Sequence, residues 1–284
     1  MSDGSGGRRP TVRVLMEGRG LVESARWRDG RFWFADWMSG DIIALGLDGT
    51  SEVVAHVASL PLCFDWLPDG RLIAVDGRRL VVCAPDGSLS TYADLSHLGD
   101  HGYNDIAVDP RGNVFVNNVD FEFPGGEPRP GFIALVSPHG DRVRVADDVL
   151  FPNGMRVSPD GSTLIVAQSY RGELTGFAID EDGALLDRRV WADLGDDAPD
   201  GIAVDASGAV WYASVPGKHC VRVREGGEVL DRVAFDRGSF SCAVGGDDGN
   251  LLCATNAQWA GIDSLSGAPS FDGQVVITPI APAG

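Results

Sequence analysis

Residues 104–117 read "NDIAVDPRGNVFVN". An apolar alternation breaks at Asp-Pro-Arg-Gly and resumes on the far side, the pattern of two short strands joined by a tight turn. The pattern recurs as "ESARWRDGRFWFAD" (23–36), "CFDWLPDGRLIAVD" (63–76), "NGMRVSPDGSTLIVA" (153–167), "DGIAVDASGAVWYA" (200–213) and "FSCAVGGDDGNLLCA" (240–254). The turn glycines Gly30, Gly70, Gly112, Gly161, Gly208 and Gly249 follow one another at intervals of 40 to 49 residues. Repeats of that length made only of strands predict a β-propeller with one four-stranded blade per repeat. Each turn glycine is expected at positive φ, where it alone carries little strain.

Two more strand-like segments fit after most of these pairs, for example "CVRVRE" and "EVLDRVAF" in the fifth repeat. The sixth repeat supplies only "GQVVITPI" (273–280), and the unused "TVRVLMEG" (11–18) can complete that blade. Closing the ring in this way removes exposed sheet edges. The expected fold is therefore all-β: a six-bladed propeller with four antiparallel strands per blade. A single domain spans 11–284, and residues 1–10 form a flexible tail.

Bulk properties narrow the function. A net charge of −18 over 284 residues shows no basic footprint for nucleic acid. No run of about 18 apolar residues suggests a membrane span. The opening "MSDGSGGRRP" lacks the apolar core of a signal peptide. The five cysteines include no C-x-x-C pair, so they read as reduced, mostly buried thiols. The expected setting is cytoplasmic, the expected assembly a monomer or weak homo-oligomer, and the expected partner a small molecule.

The first strand of each blade lines the central channel of a propeller, so equivalent positions before those strands converge on one axis. The repeats align on the last apolar residue before each turn: Trp27, Leu67, Val108, Val157, Val204 and Val244. Four residues upstream stand Glu23, Cys63, Asn104, Asn153, Asp200 and Phe240. Asn153-Gly154 alone is ordinary turn chemistry. Registered with Glu23, Asn104 and Asp200, however, it completes an all-oxygen cluster of two carboxylates and two amides. Hard cations prefer such a set, and two close carboxylates are costly without one. Calcium fits best; magnesium, manganese and zinc are the alternatives.

These stretches, together with "GLVESARW", "GGEPRPGFIALVSPHG" and "RRVWADLGDDAPDGIAVDASGAVW", resemble the gluconolactonase, senescence-marker-protein and luciferin-regenerating-enzyme-like family of calcium-dependent six-bladed propellers. The resemblance runs in order through most of the chain. It implies Glu23, Asn153 and Asp200 as metal ligands and Asn104 as a contact to substrate or to a metal-bound water. The family's sugar-lactone hydrolases often carry Arg two residues before that Asn; here the place is Gly102, beside His101 and Tyr103.

The implied reaction is hydrolysis of a lactone, the cation acting as Lewis acid toward the carbonyl. Asp200 is the candidate general base and Asn104 orients substrate or water. His101, Tyr103, Asn118, Asp120, Glu122 and Tyr170 are candidate substrate contacts, with Trp37 also near the mouth. The loop 117–131, "NNVDFEFPGGEPRPG", reads equally as a lid and as a surface excursion. Cys63 is expected as an apolar wall. His56, His97, His139 and His219 fall outside the register and read as surface residues. Alternatives are a phosphotriesterase on the same metal site, a lactone isomerase, and a non-catalytic ligand-binding propeller.

Overall fold

The computed structural model describes residues 11–261 and 272–282; the expected tail at 1–10 lies outside them. Among the described residues the regular structure is strand, in six four-stranded antiparallel sheets. Strand β1 (Arg13–Arg19) opens the chain. The first blade holds β2 (Val22–Arg28), β3 (Arg31–Asp36), β4 (Asp41–Leu45) and β5 (Ser51–His56). The second holds β6 (Phe64–Trp66), β7 (Leu72–Asp76), β8 (Arg79–Cys83) and β9 (Leu89–Asp94). The third holds β10 (Ile106–Val108), β11 (Val114–Asn118), β12 (Gly131–Val136) and β13 (Arg142–Val149). The fourth holds β14 (Pro152–Val157), β15 (Thr163–Gln168), β16 (Glu173–Ile179) and β17 (Leu185–Asp193). The fifth holds β18 (Pro199–Val204), β19 (Val210–Ser214), β20 (His219–Val223) and β21 (Val229–Ala234).

The sixth blade is assembled from both ends of the chain. Strands β22 (Gly238–Gly245), β23 (Leu251–Ala257) and β24 (Gly273–Pro279) are completed by β1, which pairs antiparallel with β24. Inner strand β22 neighbours both β2 and β18, β18 neighbours β14, and β10 neighbours both β14 and β6, as the repeat predicted. All six turn glycines have positive φ, between 63° and 90°, so each hairpin closes without strain on a side chain.

The core is divided. Six apolar clusters lie between neighbouring blades, such as Phe32, Phe34 and Ile43 of the first against Val275 and Ile277 of the last. Alternation along each strand therefore serves two clusters, one per sheet face. Fully burying one such side chain contributes about 1.5–3 kcal/mol. The five cysteines are free and buried, in keeping with their reading as reduced thiols.

Candidate functional site

Four of the inner strands break register near the channel-column residue. The shifts fall between Glu23 and Arg26, Pro152 and Met155, Pro199 and Ile202, and Ser239 and Ser241. Such bulges re-aim a side chain out of the alternation. They occur where Glu23, Asn153, Asp200 and Phe240 meet the channel. The residues that follow are small because the strands nearly touch. A Cβ on Gly154 would stand 2.6 Å from both Asp200 O and Ile202 N. A Cβ on Gly201 would stand 2.7 Å from Ser241 Cα. The glycine of "PNG" thus serves close approach of two blades rather than a left-handed turn.

Glu23, Asn104, Asn153 and Asp200 line one cavity of about 310 Å³ at the mouth of the channel. Asn153 is held by its amide nitrogen, which donates to Ser169 Oγ at 3.3 Å. Ser169 in turn donates to Pro199 O at 2.7 Å. Asn104 Nδ2 donates to Pro152 O at 3.1 Å and lies 3.4 Å from Asn153 Oδ1. Both amide nitrogens are committed to protein, leaving the amide oxygens as the groups available to a ligand. Glu23 Oε2 accepts the Ser24 amide at 2.6 Å.

The two carboxyls are far from their ordinary state. Burial, reinforced by the charge of Asp105, pushes Asp200 up to about 8, against the pull of Glu23, Asn153 and the Gly201 amide. Burial and the neighbouring Asp200 raise Glu23 well above the usual carboxylate range. Asp200 Oδ1 is buried with no hydrogen-bond partner among the described residues. A buried acceptor without a donor is costly, and it costs most when ionised. A divalent cation between the carboxyls answers both costs, and the donor set is all oxygen. Among the described residues no group of three or more His, Cys, Asp or Glu side chains converges, so the two amides are needed to complete a site. The residues present fit a hard cation.

Below this layer the channel is plugged by charge. Asp105 accepts the Met155 amide at 2.8 Å and faces Arg26 at 3.4 Å and Arg156 at 3.5 Å. Arg26 also donates to Ile106 O and Arg156 to Ala25 O, both at 3.0 Å, which ties blades one, three and four together. Burial, followed by the neighbouring Arg26, brings Arg156 down to about 10.

The other candidates divide. Tyr170 lines the cavity at its rim, and Trp37 lines it while donating to Leu62 O at 2.7 Å. Tyr103 does not reach the cavity: it is fully buried in the apolar cluster between blades two and three, its ring edge-on to Phe132. Asn118 is also fully buried, donating to His101 O at 2.8 Å and accepting the Asp120 amide at 2.7 Å. It ties down the 117–131 loop. Asp120 pairs with Arg129 of that loop. His101 and Glu122 line a separate hollow with Phe121 and Arg129, which shares no lining residue with the first. Cys63 is buried and outside the cavity, as its apolar reading requires, and burial raises its thiol. His219 is not a surface residue; its Nε2 lies 2.6 Å from Asp197, just before the Asp200 strand.

Sequence reasoning missed most of the cavity wall. Phe123, Phe151 and Trp259 line it, as does the column residue Phe240. Phe123 and Trp259 follow the second strands of blades three and six and Phe151 joins blades three and four, where no period marks them; Phe240 lies on β22, and only the alignment signalled it.

Comparison with known proteins places these features in context. A family model described as the SMP-30/gluconolactonase/LRE-like region matches residues 21–258. The 6-deoxy-6-sulfogluconolactonase of Pseudomonas putida is 28% identical over 249 residues, 84% of each chain. Regucalcin of Gallus gallus is 29% identical over 261 residues, 88% of this chain and 83% of that one. Among solved structures, a calcium-binding protein, regucalcin, from Agrobacterium tumefaciens has a TM-score of 0.75 at 22% identity, covering 96% of both chains.

Proposed function

The chain belongs to the SMP-30/gluconolactonase/LRE-like family, and on that premise we propose that it is a hydrolase opening a lactone ring around a divalent cation, calcium foremost. One observation carries the reading: the buried Glu23, the half-buried Asp200 and two asparagines line one cavity, with one Asp200 carboxylate oxygen shut off from solvent and unpartnered among the described residues. The lactonase name of the 28% identical relative points to the same chemistry.

Glu23, Asn153 and Asp200 would hold the cation, with Asn104 beside them. When bound, the cation supplies Lewis acidity to the ester carbonyl. The protein's own groups do the remainder. Asn104 orients the lactone or the attacking water, its nitrogen being fixed on the Pro152 carbonyl. Asp200 takes a proton from that water, whose oxygen adds to the carbonyl carbon. The ring C–O bond breaks, the departing oxygen takes up a proton, and one water is consumed per hydroxy acid formed. The aromatic wall keeps competing water away, which strengthens each polar contact inside.

The test is a pH-stat assay on a lactone panel, before and after chelation, with calcium, magnesium, manganese and zinc restored singly. Turnover should vanish on chelation, return with calcium, and fall at least about a hundredfold in Asp200→Asn. No turnover with any cation, or an Asp200→Asn protein indistinguishable from wild type, would overturn the proposal.

A further inference from the structure

Among the described residues six aromatic side chains line the cavity: Trp37, Phe123, Phe151, Tyr170, Phe240 and Trp259. They come from blades on opposite sides of the ring. Phe151 and Tyr170 stack with centroids 4.3 Å apart and planes 21° apart, and Phe123 packs edge-on to Phe151 at 4.9 Å. Across the mouth, Phe240 and Trp259 meet edge-on at 5.6 Å. Among the described lining residues the only charged groups are Glu23 and Asp200, both at the cation layer; none is basic.

The polar inventory is equally small. Apart from the acids, the described lining residues offer Asn104, Asn153, Ser169, the Tyr170 hydroxyl at the rim and the indole N–H groups of Trp37 and Trp259. The Asn153 amide and the Ser169 hydroxyl bond to one another, Ser169 also donates to Pro199 O, and the Asn104 nitrogen bonds to protein. A ring bearing several hydroxyls would lose its water here and find few partners beyond the amide oxygens at the cation layer and the rim hydroxyl of Tyr170. Each hydroxyl left unpaired would weaken binding. A ring bearing carboxylate or sulfonate would meet two acids and no basic group. A flat apolar ring would instead lie between facing aromatic walls, which favour offset and edge-on contacts.

We infer that the substrate is a neutral lactone carrying an aryl or alkyl group, not a polyhydroxylated sugar lactone. The inference rests on the lactonase reading and assigns that site its substrate class. Phe151 and Tyr170 form the platform for the apolar part, while the ester carbonyl faces the cation layer. Gly102, two residues before Asn104, adds no side chain to the cavity.

The test compares dihydrocoumarin with D-glucono-1,5-lactone on the full chain loaded with calcium. The kcat/KM ratio should favour dihydrocoumarin at least tenfold. Tyr170→Ala, a change at a half-exposed rim position, should lower kcat/KM for dihydrocoumarin about tenfold, mainly through KM. A second readout needs no turnover: dihydrocoumarin should quench the fluorescence of Trp37 and Trp259 in the chelated protein saturably, and the sugar lactone should not. Preferred turnover or tighter binding of the sugar lactone would overturn the substrate assignment alone. Hydrolysis of neither compound, while other lactones are opened, would do the same. Absence of all lactone turnover with every cation would overturn the lactonase reading beneath it.

Discussion

Asp200 carries more of the site's logic than any other residue. It is half-buried, its Oδ1 is shut off from solvent and lacks a hydrogen-bond partner among the described residues, and its carboxyl is pushed up to about 8. In an unfolded chain the same group titrates near 3.9. Without a cation the folded state therefore binds more protons, and its stability falls as pH rises from about 4 through 8. Thermal unfolding in chelator should show a lower midpoint at pH 8.5 than at pH 6, a slope that saturating calcium abolishes. Asp200→Asn should flatten the slope in chelator; an unchanged slope would show that the strain lies elsewhere. This residue was legible from sequence because its repeat placed it in register with Glu23, Asn104 and Asn153. Tyr103 was misread for the opposite reason. It lies one position from Asn104, yet its side chain turns into the core between blades, where its ring meets Phe132.

At the scale of the element, the inner strand and its bulge decide whether a ligand residue reaches the axis. The sequence pattern showed where those strands begin but not how closely they approach. Gly154 looked like a turn glycine; in the structure a Cβ there would stand 2.6 Å from Asp200 O and Ile202 N. Both are backbone atoms and cannot swing away. Gly154→Ala should therefore force β14 and β18 apart, destabilising the protein by about 1–3 kcal/mol and weakening cation binding with it. Chemical unfolding beside a calcium titration reads both; a stable Gly154→Ala protein with full affinity would refute the close-approach account. Loop 117–131 was open between lid and surface excursion. It contributes Phe123 to the cavity, whereas Asn118 is spent holding the loop to the His101 carbonyl. Loops have no period, so their side-chain directions were invisible beforehand.

For the molecule as a whole, the ring must close before six inner strands can share an axis. That closure depends on β1 pairing with β24, a contact between the two ends of the chain. Removing residues 1–19 should expose β24 as an open edge. The truncated chain should unfold at lower denaturant and associate through that edge; light scattering during a denaturant series checks both. The closure was readable because the sixth repeat was one strand short and the first segment one strand over. Beneath the site, Asp105, Arg26 and Arg156 join blades one, three and four, so distortion of one blade is felt at the floor of the cavity. The central claim is that Glu23, Asn153 and Asp200, with Asn104 beside them, hold one divalent cation. Calorimetric titration of calcium into chelator-treated protein tests it most directly. The account predicts one site per chain in the wild type and at least a hundredfold weaker binding in Asp200→Asn. Absence of binding to the wild type, or equal affinity in the variant, would contradict it.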